Sequence, residues 1–164
     1  MKRIFVISDT HLSRFTEFPT TLLAEAENSD LIIHAGDFCN SHVLHGLRNI
    51  NKVIAVQGNM DEPELKDALP IKERFDIEGV QIGLTHGYGS PNKVVDNIKD
   101  MLTNVDILIF GHSHLPYNEN RNGCILFNPG SCTEPRAAII PTYGIINVEN
   151  GLAKPQINQL NEVE

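Results

Sequence analysis

Short runs of apolar residues alternate along the first third of this chain with segments whose apolar residues recur at helical spacing. Three of these runs are continuous, at residues 4–7, 31–33 and 53–56. Continuous apolar runs of this length are typical of strands that are buried on both faces. Residues 20–28 predict a helix between the first two runs, with Pro19 near its first position. A second helix, capped by Ser41 and carrying Val43, Leu44, Leu47 and Ile50, is predicted before the third run.

This alternation of strand and helix predicts three parallel strands joined by right-handed crossovers. The middle of the chain changes character, because residues 74–77 and 80–84 flank Glu78-Gly79 and predict a hairpin. Ser90 is predicted to cap a further helix, with Pro91 at its first position. The apolar stripe of that helix consists of Val94, Val95, Ile98, Met101 and Leu102.

The last third predicts one more buried strand, at residues 107–110, followed by two hairpins. The first hairpin pairs residues 116–119 with 125–127 across Asn122-Gly123, and the second pairs 143–148 with 152–157 across Asn150-Gly151. Asn-Gly pairs favour the tight primed turns that join antiparallel strands. The whole pattern predicts a mixed α/β fold in which two sheets pack together and helices lie outside them.

Composition narrows the class of protein. A chain of 164 residues with 41% hydrophobic content is expected to form a single domain, covering residues 1–164, with an ordinary core. The net charge of −8 argues against binding long nucleic acid, but it leaves a small phosphorylated substrate open if metals supply positive charge. The three cysteines give no disulfide framework. The apolar run after Met1 is too short for a signal core or a membrane span, so we expect a cytoplasmic protein without a membrane partner.

Candidate chemistry lies on five short motifs, several of which directly follow a predicted strand. They are Asp9-Thr10-His11, Gly36-Asp37, Gly58-Asn59-Met60-Asp61, Thr85-His86-Gly87 and Gly111-His112-Ser113-His114. Sites in α/β sheets form beyond the carboxyl ends of strands, where such residues converge. If extended geometry continues past the strands, Asp9 and His11 point the same way, and so do His112 and His114.

Each motif taken alone has an ordinary structural explanation. An Asp after a strand is often a cap or turn residue, and a single His beside Gly is more often a hydrogen-bonded loop residue than a ligand. The five motifs together predict a metal site instead, because three oxygen donors and four imidazoles at strand ends could hold two ions. Two such ions indicate hydrolysis of a phosphate ester.

The order of these motifs resembles that of the calcineurin-like metallophosphoesterases. The short length, Gly58-Asn59-Met60-Asp61 and Asn128-Pro129-Gly130-Ser131 resemble the small YfcE-type prokaryotic phosphodiesterase branch of that family. The resemblance runs from Lys2 to about Val148. It implies a four-layer α/β/β/α sandwich with two mixed β-sheets flanked by helices.

The resemblance also implies a ligand set of seven residues for two divalent ions. One ion would take Asp9, His11 and His114, the second would take Asn59, His86 and His112, and Asp37 would bridge them. Oxygen and imidazole ligands suit Mn, Fe, Zn or Ni, with Mg also open, and the resemblance favours Mn. Asp37, Asn59 and His86 are the predicted catalytic residues. The implied reaction is hydrolysis of a small phosphodiester by a hydroxide that bridges the metals.

Met60 departs from the family pattern, since many relatives have a His at this position that is thought to assist the leaving group. Met60 has no proton to donate, so we predict slow hydrolysis that favours esters with good leaving groups. Two further residues have supporting roles in this prediction. His34 is expected to be a residue behind the ligands or in the core, and Asp61 is expected either to orient His86 or a motif backbone group or to be a turn residue.

Two other functions stay open from the sequence. The retromer scaffold subunit resembles this fold and serves mainly in protein binding, so fold does not establish catalysis. A phosphomonoesterase with the same metals is the second alternative. The resemblance also leaves a homodimer open, since small relatives often self-associate, and the natural substrate is not encoded in any motif.

Overall fold

The computed structural model describes residues 1–100 and 103–160. These residues form two five-stranded mixed sheets with helices beside them. Within those residues the strands and helices are, in chain order, β1 (Lys2–Ile7), α1 (Thr20–Glu27), β2 (Leu31–His34), α2 (Ser41–Ile50), β3 (Val53–Ala55), α3 (Pro63–Ala68), β4 (Lys72–Ile77), β5 (Val80–Thr85), α4 (Val94–Ile98), β6 (Ile107–Ile109), β7 (Tyr117–Arg121), β8 (Cys124–Asn128), β9 (Thr142–Glu149) and β10 (Leu152–Gln159). Short 3₁₀ helices at Phe15–Glu17, Pro91–Lys93 and Arg136–Ala138 complete the list.

The first sheet has the order β10-β9-β1-β2-β3, and the second has the order β4-β5-β6-β8-β7. β1, β2 and β3 are parallel, as the alternation of strand and helix predicted. All three predicted hairpins are confirmed, and each turns through residues with positive φ, such as Asn150 (φ 52°) and Gly151 (φ 73°). The second sheet also contains a parallel group, because β5 and β8 each pair in parallel with β6.

The apolar side chains of β1 alternate between two cores, and this alternation builds the layers. Phe5 and Ile7 belong to a cluster with Leu22 of α1 and Leu47 of α2. Their neighbours in the strand, including Ile4, point the other way into a core shared with β5, β6 and β8 of the second sheet. A third cluster covers the outer face of the second sheet with α4. The layers are therefore helix, sheet, sheet, helix, which confirms the predicted fold class.

Two predicted helix caps need correction, and one helix was missed. The cap of α2 is Asn40, whose side chain accepts a hydrogen bond from the backbone N–H of His42, while Ser41 is the first helical residue. Ser90 makes no side-chain capping bond, and the residues after it form a 3₁₀ helix that precedes α4. The short helix α3 was not predicted. Met101 and Leu102, assigned to the stripe of α4, lie outside the described residues.

Candidate metal centre

The seven predicted ligands converge at the carboxyl ends of parallel strands in both sheets. Backbone hydrogen bonds from Asp9 N to Gly36 O (3.0 Å) and from His11 N to Asp37 O (3.1 Å) carry the β1–β2 pairing into the loops. The gathered side chains are Asp9, His11, Asp37, Asn59, His86, His112 and His114. Because each of these side chains follows a strand that ends at the same edge, their ligand atoms lie close together.

Asp9, His11 and His114 form the first group, whose ligand atoms lie within 4.8 Å of one another. Two ring nitrogens, Nε2 of His11 and Nε2 of His114, are 3.1 Å apart, and Asp9 Oδ1 is 3.4 Å from the latter. The two imidazoles stack, with centroids 4.9 Å apart. Donor atoms of three side chains thus face a common point.

Asp9, Asp37 and His86 form the second group, also within 4.8 Å. Asn59 Oδ1 lies beside this group, 3.2 Å from His86 Nε2 and 2.9 Å from His112 Nδ1. Asp37 Oδ2 is 3.3 Å from His86 Nε2 and 3.6 Å from His11 Nε2, so it spans both groups. The geometry places Asp9 in both groups as well, whereas the resemblance gave it to one ion.

Three of the four histidines have their ring orientation fixed by backbone carbonyls. His86 Nδ1 donates to Ala35 O (2.7 Å), His112 Nε2 donates to Gly89 O (2.7 Å), and His114 Nδ1 donates to Glu134 O (2.5 Å). A carbonyl only accepts, so in each neutral ring the other nitrogen keeps its lone pair, and that nitrogen faces the site. This is the arrangement that metal-binding histidines adopt.

His11 differs, because its outward nitrogen Nδ1 lies 3.2 Å from Cys39 Sγ. Burial and the surrounding carboxylates, Asp37 first among them, raise the pKa of the Cys39 thiol to about 11. The thiol therefore stays protonated at neutral pH. Cys39 thus lies behind His11, on the side of the ring that faces away from the site.

Asp9 provides the test of whether a cation fits. Its Oδ2 accepts hydrogen bonds from Ser8 Oγ (2.7 Å) and His112 N (3.0 Å). Its Oδ1 is buried without a hydrogen-bond partner, the single such side-chain atom within residues 1–100 and 103–160. A buried carboxylate oxygen without a partner is costly. A divalent cation would satisfy it, and the mixed oxygen and imidazole donors suit Mn, Fe, Zn or Ni.

The carboxylate of Asp37 and the imidazole of His86 shift each other's pKa. Although burial raises the pKa of Asp37, the neighbouring His86 and the backbone N–H of Met60 lower it overall to about 2. Burial lowers the pKa of His86, but Asp37, Asp9 and the Ala35 carbonyl outweigh that effect and raise it. The protein thus offers negative oxygens that attract positive charge.

The backbone at the ligands is left-handed rather than extended, which corrects the geometry expected for the two Asp/His and His/His pairs. Asp9 and His11 have φ of 54° and 47°, and His112 and His114 have φ of 68° and 58°. Non-glycine residues adopt this region at a cost of order 1–3 kcal/mol each, and such strain concentrates at functional sites. The paired side chains still converge because the loops turn back on themselves.

Two of the motif glycines are required by close approach. A Cβ on Gly58 would overlap the carboxylate of Asp37, and a Cβ on Gly111 would overlap Ser8 Oγ. Any side chain at these positions would push a predicted ligand out of place. These contacts explain why Gly precedes Asn59 and His112.

A buried polar segment braces the site, and its role was not predicted. Asn128 Nδ2 donates to Gly111 O and Ser113 Oγ (both 3.0 Å), while its Oδ1 accepts from Gly130 N (2.8 Å). Ser131 Oγ donates to the backbone oxygen of Asp9 (2.7 Å). The signal in the sequence is Asn128-Pro129-Gly130-Ser131, a segment that carries part of the family resemblance.

Replacing Asn128 by alanine is expected to weaken metal affinity by about 10- to 100-fold, because the loop carrying His112 and His114 loses its brace. The metal-free protein should also lose about 1–3 kcal/mol of stability, since buried partners are left unpaired. Calorimetric titration with Mn and denaturant unfolding measure the two effects. Asn118→Ala, at an exposed position of β7, is the matched control. Unchanged metal affinity in Asn128→Ala would contradict the bracing role.

Asp61 accepts hydrogen bonds from backbone groups of two motif loops, which is one of the roles predicted for it. Its Oδ1 accepts from Cys39 N (2.9 Å) and its Oδ2 from Gly58 N (2.7 Å). These bonds tie the loop carrying Asp37 to the loop carrying Asn59.

The Asp61→Ala variant is expected to lose about 1–3 kcal/mol of stability, because two backbone N–H groups lose their acceptor. Asp61→Asn should lose less, since its carbonyl oxygen can still accept one of these bonds. Urea unfolding of the metal-free proteins compares the two variants. Equal losses in both would show that the carboxylate charge, and not the hydrogen bonds, is what the fold requires.

His34 is completely buried and hydrogen-bonds to the loops that carry Asp9 and Asp37. Its Nδ1 accepts from Gly36 N (3.1 Å), and its Nε2 donates to Thr10 Oγ1 (3.1 Å). Complete burial holds its pKa well below the usual value, so it is neutral. His34 therefore connects the loop of Asp9 to the loop of Asp37 without facing the site.

Comparison with known proteins places this geometry in context. The family model described as the calcineurin-like phosphoesterase superfamily domain matches residues 1–151. A protein of Methanocaldococcus jannaschii named as a probable metallophosphoesterase is 40% identical over 140 residues, covering 83% of this chain and 71% of the relative. The phosphodiesterase YfcE of Escherichia coli is 32% identical over 174 residues, covering 90% of this chain and 88% of that protein.

Solved structures show the same fold. Vps29 of Chaetomium thermophilum superimposes with a TM-score of 0.81 at 20% identity, covering 99% of this chain and 93% of that one. At this identity the likeness concerns the fold alone. Among residues 1–100 and 103–160, no helix has both the length and the apolar character needed to cross a membrane.

Proposed function

This chain belongs to the calcineurin-like phosphoesterase superfamily, and from that premise we propose that it is a divalent-metal-dependent phosphodiesterase acting on a small phosphate diester. The observation that carries the proposal is Asp9 Oδ1, a buried carboxylate oxygen without a partner amid converging imidazole nitrogens. Relatives named as phosphodiesterases support the diester assignment. Hydrolysis of a phosphoric ester is the reaction class of this family.

We propose that the site holds two ions, with Mn as the physiological metal. Asp9, His11 and His114 would hold one ion, and Asn59, His86 and His112 the other. Asp37 would contact both, in keeping with its position between His11 and His86. Bound divalent cations supply a more acidic water and positive charge against the phosphoryl oxygens.

The protein's own groups then have defined tasks. The carbonyls of Ala35, Gly89 and Glu134 keep three imidazoles in the tautomer that points a lone pair inward. The backbone N–H of Met60 donates to Asp37 Oδ1 (2.7 Å), which leaves Oδ2 directed into the site. Positions fixed in this way before substrate arrives avoid reorganisation during the reaction.

The test is hydrolysis of bis-p-nitrophenyl phosphate and p-nitrophenyl phosphate by metal-stripped protein, alone and with Mn, Zn, Ni or Mg. We expect cleavage of the diester to require an added cation and to be strongest with Mn. Asp37→Ala and His86→Ala serve as controls for contaminating phosphatases, since each removes a proposed ligand.

Other results would redirect the assignment. Cleavage of the monoester alone would establish a phosphomonoesterase. Calorimetric binding of cations without hydrolysis of either ester would favour a protein-binding scaffold with this fold.

A further inference from the structure

A groove of about 260 Å³ opens directly beside the candidate metal centre. Asn59 and His86 belong to both the site and the groove wall. The rest of the lining comes from the segment after β3, from α3, from the segment before β4, and from the end of β5 with the loop that follows it. A ligand held between Asn59 and His86 would therefore extend into this groove.

One wall of the groove is apolar and exposed. Ile71 and Tyr88 are 66% and 54% exposed, and both line the cavity. Tyr88 is also held in place, because its hydroxyl donates to Asn97 O (3.2 Å) and Asn97 Nδ2 donates to its backbone oxygen (2.9 Å). A fixed aromatic ring with an exposed face is suited to stacking against a planar group.

The lining of the groove also carries a positive charge, that of Lys66. Lys66 Nζ donates to Asn59 O (2.9 Å), and within residues 1–100 and 103–160 its ammonium group forms no ion pair. An ammonium group has three donors, so Lys66 can still bind an anion. This charge stands out in a chain with a net charge of −8.

The groove is also preformed and small. Gln57 Nε2 donates to Lys66 O (2.9 Å) and Leu69 O (2.7 Å), which fixes the end of α3 against the strand end of β3. Its volume is below the range of about 300–1,000 Å³ that is typical of sites for drug-sized ligands. A single ring with a substituent matches this size, and several nucleotides do not.

Resting on the proposed phosphodiesterase function, we propose that this groove binds one ester arm of the substrate, an aromatic ring that carries a second anionic group. The ring packs on Tyr88 and Ile71, and the anionic group pairs with Lys66. The substrate class is therefore an aryl-type phosphodiester with an extra negative charge on the arm that enters the groove.

Three diesters with the same p-nitrophenyl leaving group test this inference, with methyl, phenyl or carboxyphenyl as the other arm. With Mn present, we expect kcat/KM to rise about tenfold from methyl to phenyl, as one aromatic contact allows. A further rise of about fivefold is expected from phenyl to carboxyphenyl, through one ion pair.

Variants assign each gain to a residue. In Tyr88→Ala, the ratio of kcat/KM for the phenyl and methyl diesters should fall to about one. In Lys66→Met, the ratio for the carboxyphenyl and phenyl diesters should fall to about one, whereas Lys66→Arg should retain it. Leu152→Ala and Lys154→Met on β10 are matched controls and should change neither ratio. Each ratio compares substrates within one variant, so a general loss of activity does not imitate the effect.

The outcomes separate this inference from the function on which it rests. If all three diesters are hydrolysed equally, or if the ratios persist in Tyr88→Ala and Lys66→Met, the groove assignment is overturned and the phosphodiesterase stands. If no diester is hydrolysed with any cation, both fail together.

Discussion

Replacing Asp9 by asparagine is expected to lower metal-dependent hydrolysis by more than about 100-fold and, with opposite sign, to stabilise the metal-free protein. Removing a hydrogen-bond partner behind a metal ligand already lowers metal affinity or activity by about 10- to 100-fold. Removing a ligand that belongs to both groups should lower them further. In the metal-free protein, Asp9 Oδ1 is a buried carboxylate oxygen without a hydrogen-bond partner. Asparagine keeps the shape and replaces that oxygen with an amide group that can donate to the surrounding imidazoles, which should add about 1–3 kcal/mol of stability.

Thermal unfolding of metal-stripped wild type and Asp9→Asn measures the second effect, at about 2–4 °C for each kcal/mol in a chain of this size. Added Mn should raise the midpoint of wild type far more than that of the variant, because stabilisation follows affinity. Asp67→Asn, on the exposed face of α3, is the matched control and should behave like wild type. An Asp9→Asn variant that is less stable without metal and still stabilised by Mn would show that Asp9 is structural.

Part of the site on which these effects depend could be predicted from the sequence. The apolar runs place β1, β2 and β3 in parallel order, and ligands that directly follow strands must meet at one edge. Asp9, Asp37 and His86 could therefore be grouped without coordinates. Two hairpins could also be predicted from local sequence, because the positive φ values of their turns suit Asn-Gly and few other residue pairs.

The rest of the site could not be predicted from the sequence, because it depends on contacts between residues that are far apart in the chain. Asn128 lies 17 residues from Gly111, and Ser131 lies 122 residues from Asp9, so no local pattern marks their hydrogen bonds. The left-handed backbone at His11 is equally non-local, because it is unfavourable for an isolated residue and persists only where surrounding contacts enforce it.

The missed helix α3 has a related cause. It has six residues, of which Leu65 alone is buried, so its sequence contains no apolar stripe. Leu65 and the following Leu69 pack into the core beside the first sheet, and this packing holds the helix in place. Tertiary contacts thus stabilise an element that helical periodicity could not predict.

The second large effect concerns the leaving group and rests on Met60. Its side chain is 57% exposed beside Asn59, and a thioether has no proton to give to a departing oxygen. We therefore expect wild type to cleave aryl diesters much faster than alkyl diesters. Across methyl aryl phosphates of graded leaving-group pKa, the rate should fall steeply as that pKa rises.

Met60→His should flatten this dependence by raising the slow rates, at most by the ~10²–10⁴-fold typical of general acid catalysis. The substitution leaves Asp37 in place, because the bond to Asp37 Oδ1 comes from the backbone N–H of residue 60. Met60→Leu is the matched control, since it changes the side chain without adding a proton donor, and it should keep the steep dependence. If wild type cleaved alkyl and aryl diesters at similar rates, another group would be protonating the leaving oxygen, and Met60 would not limit the reaction.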